Sequence, residues 1–140
     1  MKKIGLDVGN KRIGVAISDE LSMFAHPLYT IARKGIERDL EAIKNLVEEH
    51  QVDEVVIGLP KNMDGSVGFQ GEKTLAFAER LQLQLKDVKI TFWDERLSTK
   101  TAKDIMLKNG IKQEDKKKIV DTIAAVVILD NYLSSVRKGL

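Results

Sequence analysis

The chain has 140 residues, a length that suits one domain able to bury most of its apolar surface without disulfides or structural metals. Its 23 basic and 21 acidic side chains give a formal charge of only +2, so any affinity for nucleic acid must come from local clusters. The absence of cysteine excludes disulfides and thiolate zinc sites. Neither a signal peptide nor a membrane-spanning run is recognisable, so we expect a cytoplasmic protein with a single domain over residues 1–140.

The N-terminal stretch alternates apolar residues with small or acidic ones, as a strand with two different faces does. The alternation stops after Val8 and resumes at Ile13, which predicts a β-hairpin with a short turn. Asp7 is therefore expected at a strand end beside that turn. Aspartate is also a common turn residue, so a structural and a catalytic role are equally open for Asp7. Arg12 is either a surface charge or a phosphate contact.

Three further strands are predicted, over residues 25–31, 54–58 and 90–93. Pro27 indicates that the first of them lies at a sheet edge. The uninterrupted apolar run at residues 54–58 is typical of a central strand that is covered on both faces. The last strand ends on the acidic pair Asp94 and Glu95.

Four helices are predicted from apolar residues at helical spacing. The first runs from residue 36 to about residue 50, the third is capped at Ser98 or Thr99 and ends at Gly110, and the fourth covers residues 116–136. The apolar register of the second consists of Leu75, Ala78, Leu81 and Leu85. This order predicts an α/β domain with a mixed five-stranded sheet, three antiparallel strands followed by parallel ones, flanked by helices.

Carboxylates lie at three element ends, namely Asp7, the pair Asp94 and Glu95, and Asp121. Ligands of open α/β sheets bind in the crevice beyond the strand ends, so we expect these acids to converge there. Structural alternatives are a strand-end salt bridge for the acidic pair and a favourable helix-dipole position for Asp121. Glu114 already meets the dipole requirement, which weakens the second alternative.

The face of the last helix supports convergence. Asp121 shares that face with Ala124, Ala125 and Ile128, where a charge is costly unless it is paired or binds a metal. The alanines permit close packing on the small-residue sheet face that holds Gly5, and Asp7 lies on the same face. Clustered carboxylates without histidine or cysteine suit Mg²⁺ or Mn²⁺, and two such ions can drive phosphodiester cleavage.

Four motifs occur in order along the chain: residues 5–16 (GLDVGNKRIGVA), 56–60 (VIGLP) together with 64–65 (DG), 94–99 (DERLST) and 121–125 (DTIAA). Together they resemble the bacterial YqgF (RuvX) family, over nearly the whole chain. That family was first named for Holliday junction resolution and later regarded as a nuclease that matures the 5′ end of pre-16S ribosomal RNA. The resemblance implies a ribonuclease H-like fold and a cytoplasmic enzyme.

Carried over by position, the resemblance implies an acidic triad of Asp7, Glu95 and Asp121 that is both catalytic and metal-binding, with Asp7 bridging two Mg²⁺ or Mn²⁺ ions. Glu95 is preferred to Asp94 on the family pattern, and strand alternation lets only one of the two point inward. The matching basic positions, Arg12 and Arg96, are implied to bind the substrate.

Three alternatives stay open. The same chemistry could resolve four-way DNA junctions, which requires a two-fold dimer, and the sequence does not determine the oligomeric state. The fold could also serve as a non-catalytic nucleic-acid or ribosome-associated binding module, although such a module gains nothing from carboxylates that repel phosphate. A sugar-kinase-like phosphotransferase is disfavoured because such enzymes close two domains over a nucleotide.

Overall fold

The sheet follows from the alternation seen in the sequence. The computed structural model describes residues 1–95 and 113–137, with side chains described from residue 122 onward in the second range. The strands are β1 (Lys2–Val8), β2 (Arg12–Ser18), β3 (Ala25–Ala32), β4 (Val52–Leu59) and β5 (Lys89–Asp94). The described helices are α1 (Ile36–His50), α2 (Phe69–Gln84) and α3 (Gln113–Arg137).

The five strands form one sheet in the order β3-β2-β1-β4-β5. β1 pairs with β2, and β2 with β3, in antiparallel fashion, whereas β4 pairs parallel to both β1 and β5. The predicted mixed sheet is therefore confirmed, with β3 at an edge and β4 in the interior. Since β1, β4 and β5 run in the same direction, their carboxyl ends meet at one end of the sheet, which is where Asp7 and Asp94 lie.

The two faces of the sheet bury different sets of side chains. Ile4, Leu6 and Ile57 point toward α1 and α2 and join the larger apolar core. Ala16 and Val56 point the other way and pack with Ala125, Ile128 and Leu129 of α3. Burial of both faces explains why β4 is an uninterrupted apolar run.

The register of α2 differs from the sequence prediction. Leu75 is 36% exposed, and Leu85 is buried but lies just beyond the end of the helix. The buried residues of α2 are Gly71, Thr74, Phe77, Ala78 and Leu81. Placing Leu75 on the buried face was wrong, because the aromatic ring of Phe77 and the small side chains beside it form the contact with the core.

A buried polar network ties α3 to the sheet. Glu54 is only 5% exposed and accepts hydrogen bonds from Thr91 (2.6 Å) and Tyr132 (2.7 Å), while the Lys3 ammonium lies 2.9 Å from its carboxylate. Burial by itself would raise the pKa of Glu54, but the bonds from Thr91, Tyr132 and Lys3 outweigh it, so the pKa lies below its ordinary value. Burial and the Glu54 carboxylate both raise the pKa of Tyr132. The network thus holds Glu54 ionised and Tyr132 neutral.

The predicted helix between Ser98 and Gly110 lies outside the described residues. Within residues 1–95 and 113–137, no helix has the combination of length and apolarity needed to cross a bilayer.

Candidate active site

Asp7 lies at the carboxyl end of β1, one residue before the strand ends. It is paired across the hairpin with Gly14, so the two residues face the same side of the sheet. The turn that follows is closed by the Gly9 amide, which donates to the Arg12 carbonyl at 2.9 Å. The hairpin therefore presents the Asp7 carboxylate beside a tight turn, as the sequence predicted.

A cleft of about 390 Å³ opens at this end of the sheet. Its walls come from the end of β1 and its turn, the residues after β4, the start of α2 and the residue after β5. The lining residues are Asp7, Val8, Gly9, Asn10, Pro60, Lys61, Gln70 and Glu95. Asp7 and Glu95, from strands separated by β4, thus face a common cavity.

Gly58 of β4 lies beside the Glu95 carboxylate and under α3. A Cβ atom at Gly58 would lie 3.5 Å from the carboxyl carbon of Glu95 and only 2.4 Å from Cδ1 of Ile128. The absence of a side chain at Gly58 therefore lets Ile128 of α3 lie against β4, next to Glu95. Asp94 ends β5 itself and is not among the residues that line the cleft.

The packing of α3 bears on the third predicted acid. A Cβ atom at Gly5 would lie 2.8 Å from the Leu129 Cβ and 2.9 Å from the Ala125 carbonyl oxygen, so the helix backbone rests almost directly on β1. The close approach predicted from Gly5 and the alanines is confirmed. The side chain of Asp121 lies outside the described part of the chain, so its convergence with Asp7 stays a prediction.

The direction of α3 supports that prediction, because it brings the start of the helix toward the end of the sheet where Asp7 lies. Thr122 contacts Thr30 near the end of β3, and Asp130 accepts a hydrogen bond from the Ala25 amide at its start (3.4 Å). Because β3 runs parallel to β1, α3 runs antiparallel to β1. The helix backbone at residue 121, one turn before Ala125, is therefore on the Asp7 side of Gly5.

Arg12 and Arg96 are the two basic residues that the sequence predicts to bind the substrate. Arg12 begins β2 and, by strand alternation, faces the same side of the sheet as Asp7 and Gly14. It lies at the same end of the sheet but is not among the residues lining the cleft. Arg96 lies outside the described residues.

Arg33 was missed by the sequence reasoning, yet it holds the Asp7 turn. Its Nε donates to the buried Asp39 carboxylate at 2.9 Å, its Nη1 donates to the Gly9 carbonyl at 2.9 Å, and its guanidinium lies 5.3 Å from the Phe77 ring centroid. One side chain thus links α1, α2 and the wall of the cleft. No local pattern could reveal this role, because Gly9 is 24 residues away in the chain.

The donor chemistry of the cleft suits a hard divalent cation. The carboxylates of Asp7 and Glu95 are joined in the lining by the amide side chains of Asn10 and Gln70, so several oxygen ligands are available. Among the described residues, no three or more histidine, cysteine or acidic residues lie together so that they could hold a metal. A third carboxylate, if present, must come from outside that set, as Asp121 would.

Comparisons with known proteins agree with this architecture. The structure of Thermus thermophilus RuvC with a Holliday junction substrate has a TM-score of 0.60 at 12% identity, covering 99% of this chain and 97% of RuvC. The fowlpox virus resolvase, solved with Holliday junction DNA, has a TM-score of 0.60 at 15% identity, covering 97% of this chain and 99% of the resolvase. These likenesses confirm the predicted ribonuclease H-like fold.

Sequence relatives are much closer. A protein of Clostridium acetobutylicum named as a candidate pre-16S rRNA nuclease is 48% identical over 136 residues, which cover 97% of this chain and 100% of that protein. A protein of the same name from Acetivibrio thermocellus is 50% identical over 141 residues and covers 100% of both chains. Residues 1–135 match the family described as RuvX, Holliday junction resolvase. The resemblance seen in the four motifs is thereby confirmed: the chain belongs to the RuvX family.

Proposed function

We propose that this chain is a metal-dependent endonuclease that acts as a single domain over residues 1–140 and hydrolyses phosphodiester bonds. Its substrate is the 5′ end of pre-16S ribosomal RNA, and its place of action is the cytoplasm. The closely related proteins named as pre-16S rRNA nucleases, at 48% and 50% identity over nearly their full length, support this choice of substrate.

The observation that carries the proposal is the common cleft of Asp7 and Glu95. The two carboxylates come from non-adjacent strands and lie at the carboxyl end of the sheet, where open α/β folds bind ligands. Two acids that share a cavity repel each other and repel phosphate. A bound cation removes both costs, which is why this arrangement favours catalysis over simple nucleic-acid binding.

We assign Asp7, Glu95 and Asp121 as the residues that would hold Mg²⁺ or Mn²⁺. When bound, such ions lower the pKa of a water molecule and stabilise the departing oxygen of a phosphodiester. The chain itself supplies rigid placement: Arg33 fixes the Gly9 turn beside Asp7, and the close packing at Gly5 holds α3 against β1. Arg12 and Arg96 are assigned to the substrate backbone.

The test is a cleavage assay with Mg²⁺ or Mn²⁺ that offers a pre-16S RNA fragment and a four-way DNA junction in parallel. We expect metal-dependent cutting of the RNA, lost in Asp7→Asn with an unchanged circular dichroism spectrum. Asp19→Asn is the matched control, since Asp19 lies in the β2–β3 loop at the opposite end of the sheet and serves that loop by accepting from the Met23 amide. Full activity in Asp7→Asn would remove the metal-ligand assignment.

The choice between the two neighbouring acids has its own test. Glu95→Gln should lower the cleavage rate by at least about a hundredfold, whereas Asp94→Asn should change it by less than about tenfold, because only Glu95 lines the cleft. The reverse order would show that Asp94 is the ligand.

Junction resolution is the second candidate function, favoured by the family description and by the two junction-resolving neighbours of the same fold. Paired, symmetric cutting of the four-way junction in the same assay would establish it. Such cutting also requires a two-fold dimer, which sedimentation of the active protein would reveal. Binding of either substrate without cutting, in the presence of both metals, would instead support a non-catalytic module.

A further inference from the structure

The cleft has one cationic side chain that neither the motifs nor the family assignment uses. Among its lining residues, all of which the structure describes, only Lys61 carries a positive charge. Asp7 and Glu95 supply negative charge, and Asn10 and Gln70 are neutral. Among the described lining residues, Lys61 is therefore the positively charged side chain that an anionic strand entering this cavity meets.

The backbone around Lys61 fixes the point from which its side chain starts. β4 ends at Leu59, and Pro60 restricts the chain direction directly before Lys61. A Cβ atom at Gly71 would lie 2.6 Å from the Pro60 carbonyl oxygen, so the first turn of α2 lies directly against this segment. The backbone that carries Lys61 is thus supported by the first turn of α2.

The loop after Lys61 contains several internal hydrogen bonds. The Asn62 amide donates to the Ser66 carbonyl at 2.9 Å, and the Gly65 amide donates to the Asn62 carbonyl at 2.9 Å. The Ser66 amide in turn donates to the Asp64 carboxylate at 2.9 Å. Lys61 itself forms no ion pair with any residue in the described part of the chain.

We propose that the Lys61 ammonium binds a non-bridging oxygen of a backbone phosphate in the strand that occupies the cleft, beside the phosphate to be cut. The proposal rests on the proposed function, because it assumes that the occupant is a nucleic-acid strand. Lysine contacts phosphate as a point charge on a flexible stem, so this contact adds affinity without reading sequence. It should be made equally in the ground state and in the transition state, and it therefore affects KM more than kcat.

The test measures binding in the non-cleaving Asp7→Asn protein, at a series of KCl concentrations. The probes are a fluorescein-labelled single-stranded RNA of about 12 nucleotides and a labelled four-way DNA junction. Lys61→Met should weaken binding of the preferred probe about tenfold, as expected for one charged hydrogen bond. The slope of log K against log [KCl] should become shallower by about 0.7 on RNA or about 0.9 on the junction.

Two variants serve as controls. Lys86→Met removes an exposed lysine between α2 and β5, at the opposite end of the sheet, and should leave affinity and slope unchanged. Lys61→Arg keeps the charge and should restore the parent slope. In the cleaving protein, Lys61→Met should raise KM about tenfold with kcat within about twofold of the parent.

The outcomes separate the two claims. Suppose that Lys61→Met leaves the slope unchanged, while the Asp7→Asn protein binds the probe and the protein with Asp7 intact cuts it. That result overturns the Lys61 contact and leaves the proposed function standing. An equal loss in Lys86→Met also overturns it, because the effect would then be one of overall charge. A parent that binds neither probe overturns the proposed function and the Lys61 contact together.

Discussion

Replacing Gly5 by alanine tests whether the packing of α3 on β1 builds the site. The new Cβ would lie 2.8 Å from the Leu129 Cβ and 2.9 Å from the Ala125 carbonyl oxygen, where ordinary contacts begin at about 3.4 Å. Both neighbours belong to the helix backbone or its first side-chain atom and cannot rotate away. The whole helix must therefore retreat by about half an ångström. We expect a loss of about 2 kcal/mol in the free energy of unfolding, since overpacking costs about 1–3 kcal/mol.

Gly58→Ala is the matched comparison. Its Cβ would lie even closer to a neighbour, 2.4 Å, but that neighbour is Cδ1 of Ile128, the far end of a flexible side chain. We expect a cost of at most about 1 kcal/mol. Ile128→Val removes the clashing methyl group, so the double variant should lose less stability than the sum of the two single ones.

The assays are urea unfolding at constant m-value and cleavage at a temperature where each variant is fully folded. Because a displacement of α3 also moves residue 121 relative to Asp7, Gly5→Ala should cut more than about tenfold more slowly, whereas Gly58→Ala should stay within about threefold. A larger loss of stability in Gly58→Ala than in Gly5→Ala would refute the packing analysis. Unchanged cleavage by a destabilised Gly5→Ala would refute the claim that α3 supplies part of the site.

Three other predictions concern the buried polar groups. Glu54→Gln should lower the free energy of unfolding by about 1–2 kcal/mol at pH 7, because the bonds from Lys3 and Tyr132 lose their charged acceptor. The pKa of Glu54 is lowered in the folded protein, so this stabilisation is present above its ordinary pKa of 4.5 and is lost as the pH falls through the folded pKa. The free energies of unfolding of the parent and Glu54→Gln should therefore converge as the pH falls through the folded pKa of Glu54, and a constant difference would contradict the ionised assignment. Tyr132→Phe should lower the free energy of unfolding by about 1 kcal/mol, measured in urea at pH 7. An unchanged free energy would show that the hydrogen bond from the Tyr132 hydroxyl to Glu54 adds no net stability. Arg33→Lys keeps the charge but loses the fork that reaches both Asp39 and Gly9, so kcat should fall about tenfold while the protein stays folded at 25 °C, and an unchanged kcat would leave Arg33 with a purely structural role.

Much of the fold was readable from local patterns because each pattern reflects which face of an element is buried. Alternation in residues 2–18 predicted the hairpin, and the apolar run at residues 54–58 predicted a central strand. The small residues of α3 and β1 predicted a close contact, which Gly5 and Ala125 now make. The wrong placement of Leu75 has the opposite cause: several apolar residues of α2 fit a helical spacing, and only the shape of the core decided that Phe77 is buried instead.

Asp7 and the pair Asp94 and Glu95 were candidates from the sequence because an apolar run followed by an acid is recognisable at a strand end, and the choice of Glu95 came from the family resemblance. That Asp7 and Glu95 share one cleft depended on the strand order, which places β4 between β1 and β5 and sets all three carboxyl ends side by side. Arg33 and Glu54 could be found only in the folded protein. Their partners are far away in sequence, and neither residue type signals burial on its own.

The sequence by itself therefore determined the elements, their order and the carboxylates at their ends, since these depend on residues near one another in the chain. The tertiary structure decided which side chains share the cleft, that Lys61 is the cation among the described lining residues, and how closely α3 approaches the sheet. Those features depend on contacts between segments many residues apart, and such contacts exist only once the sheet has formed. Local sequence patterns therefore do not specify them.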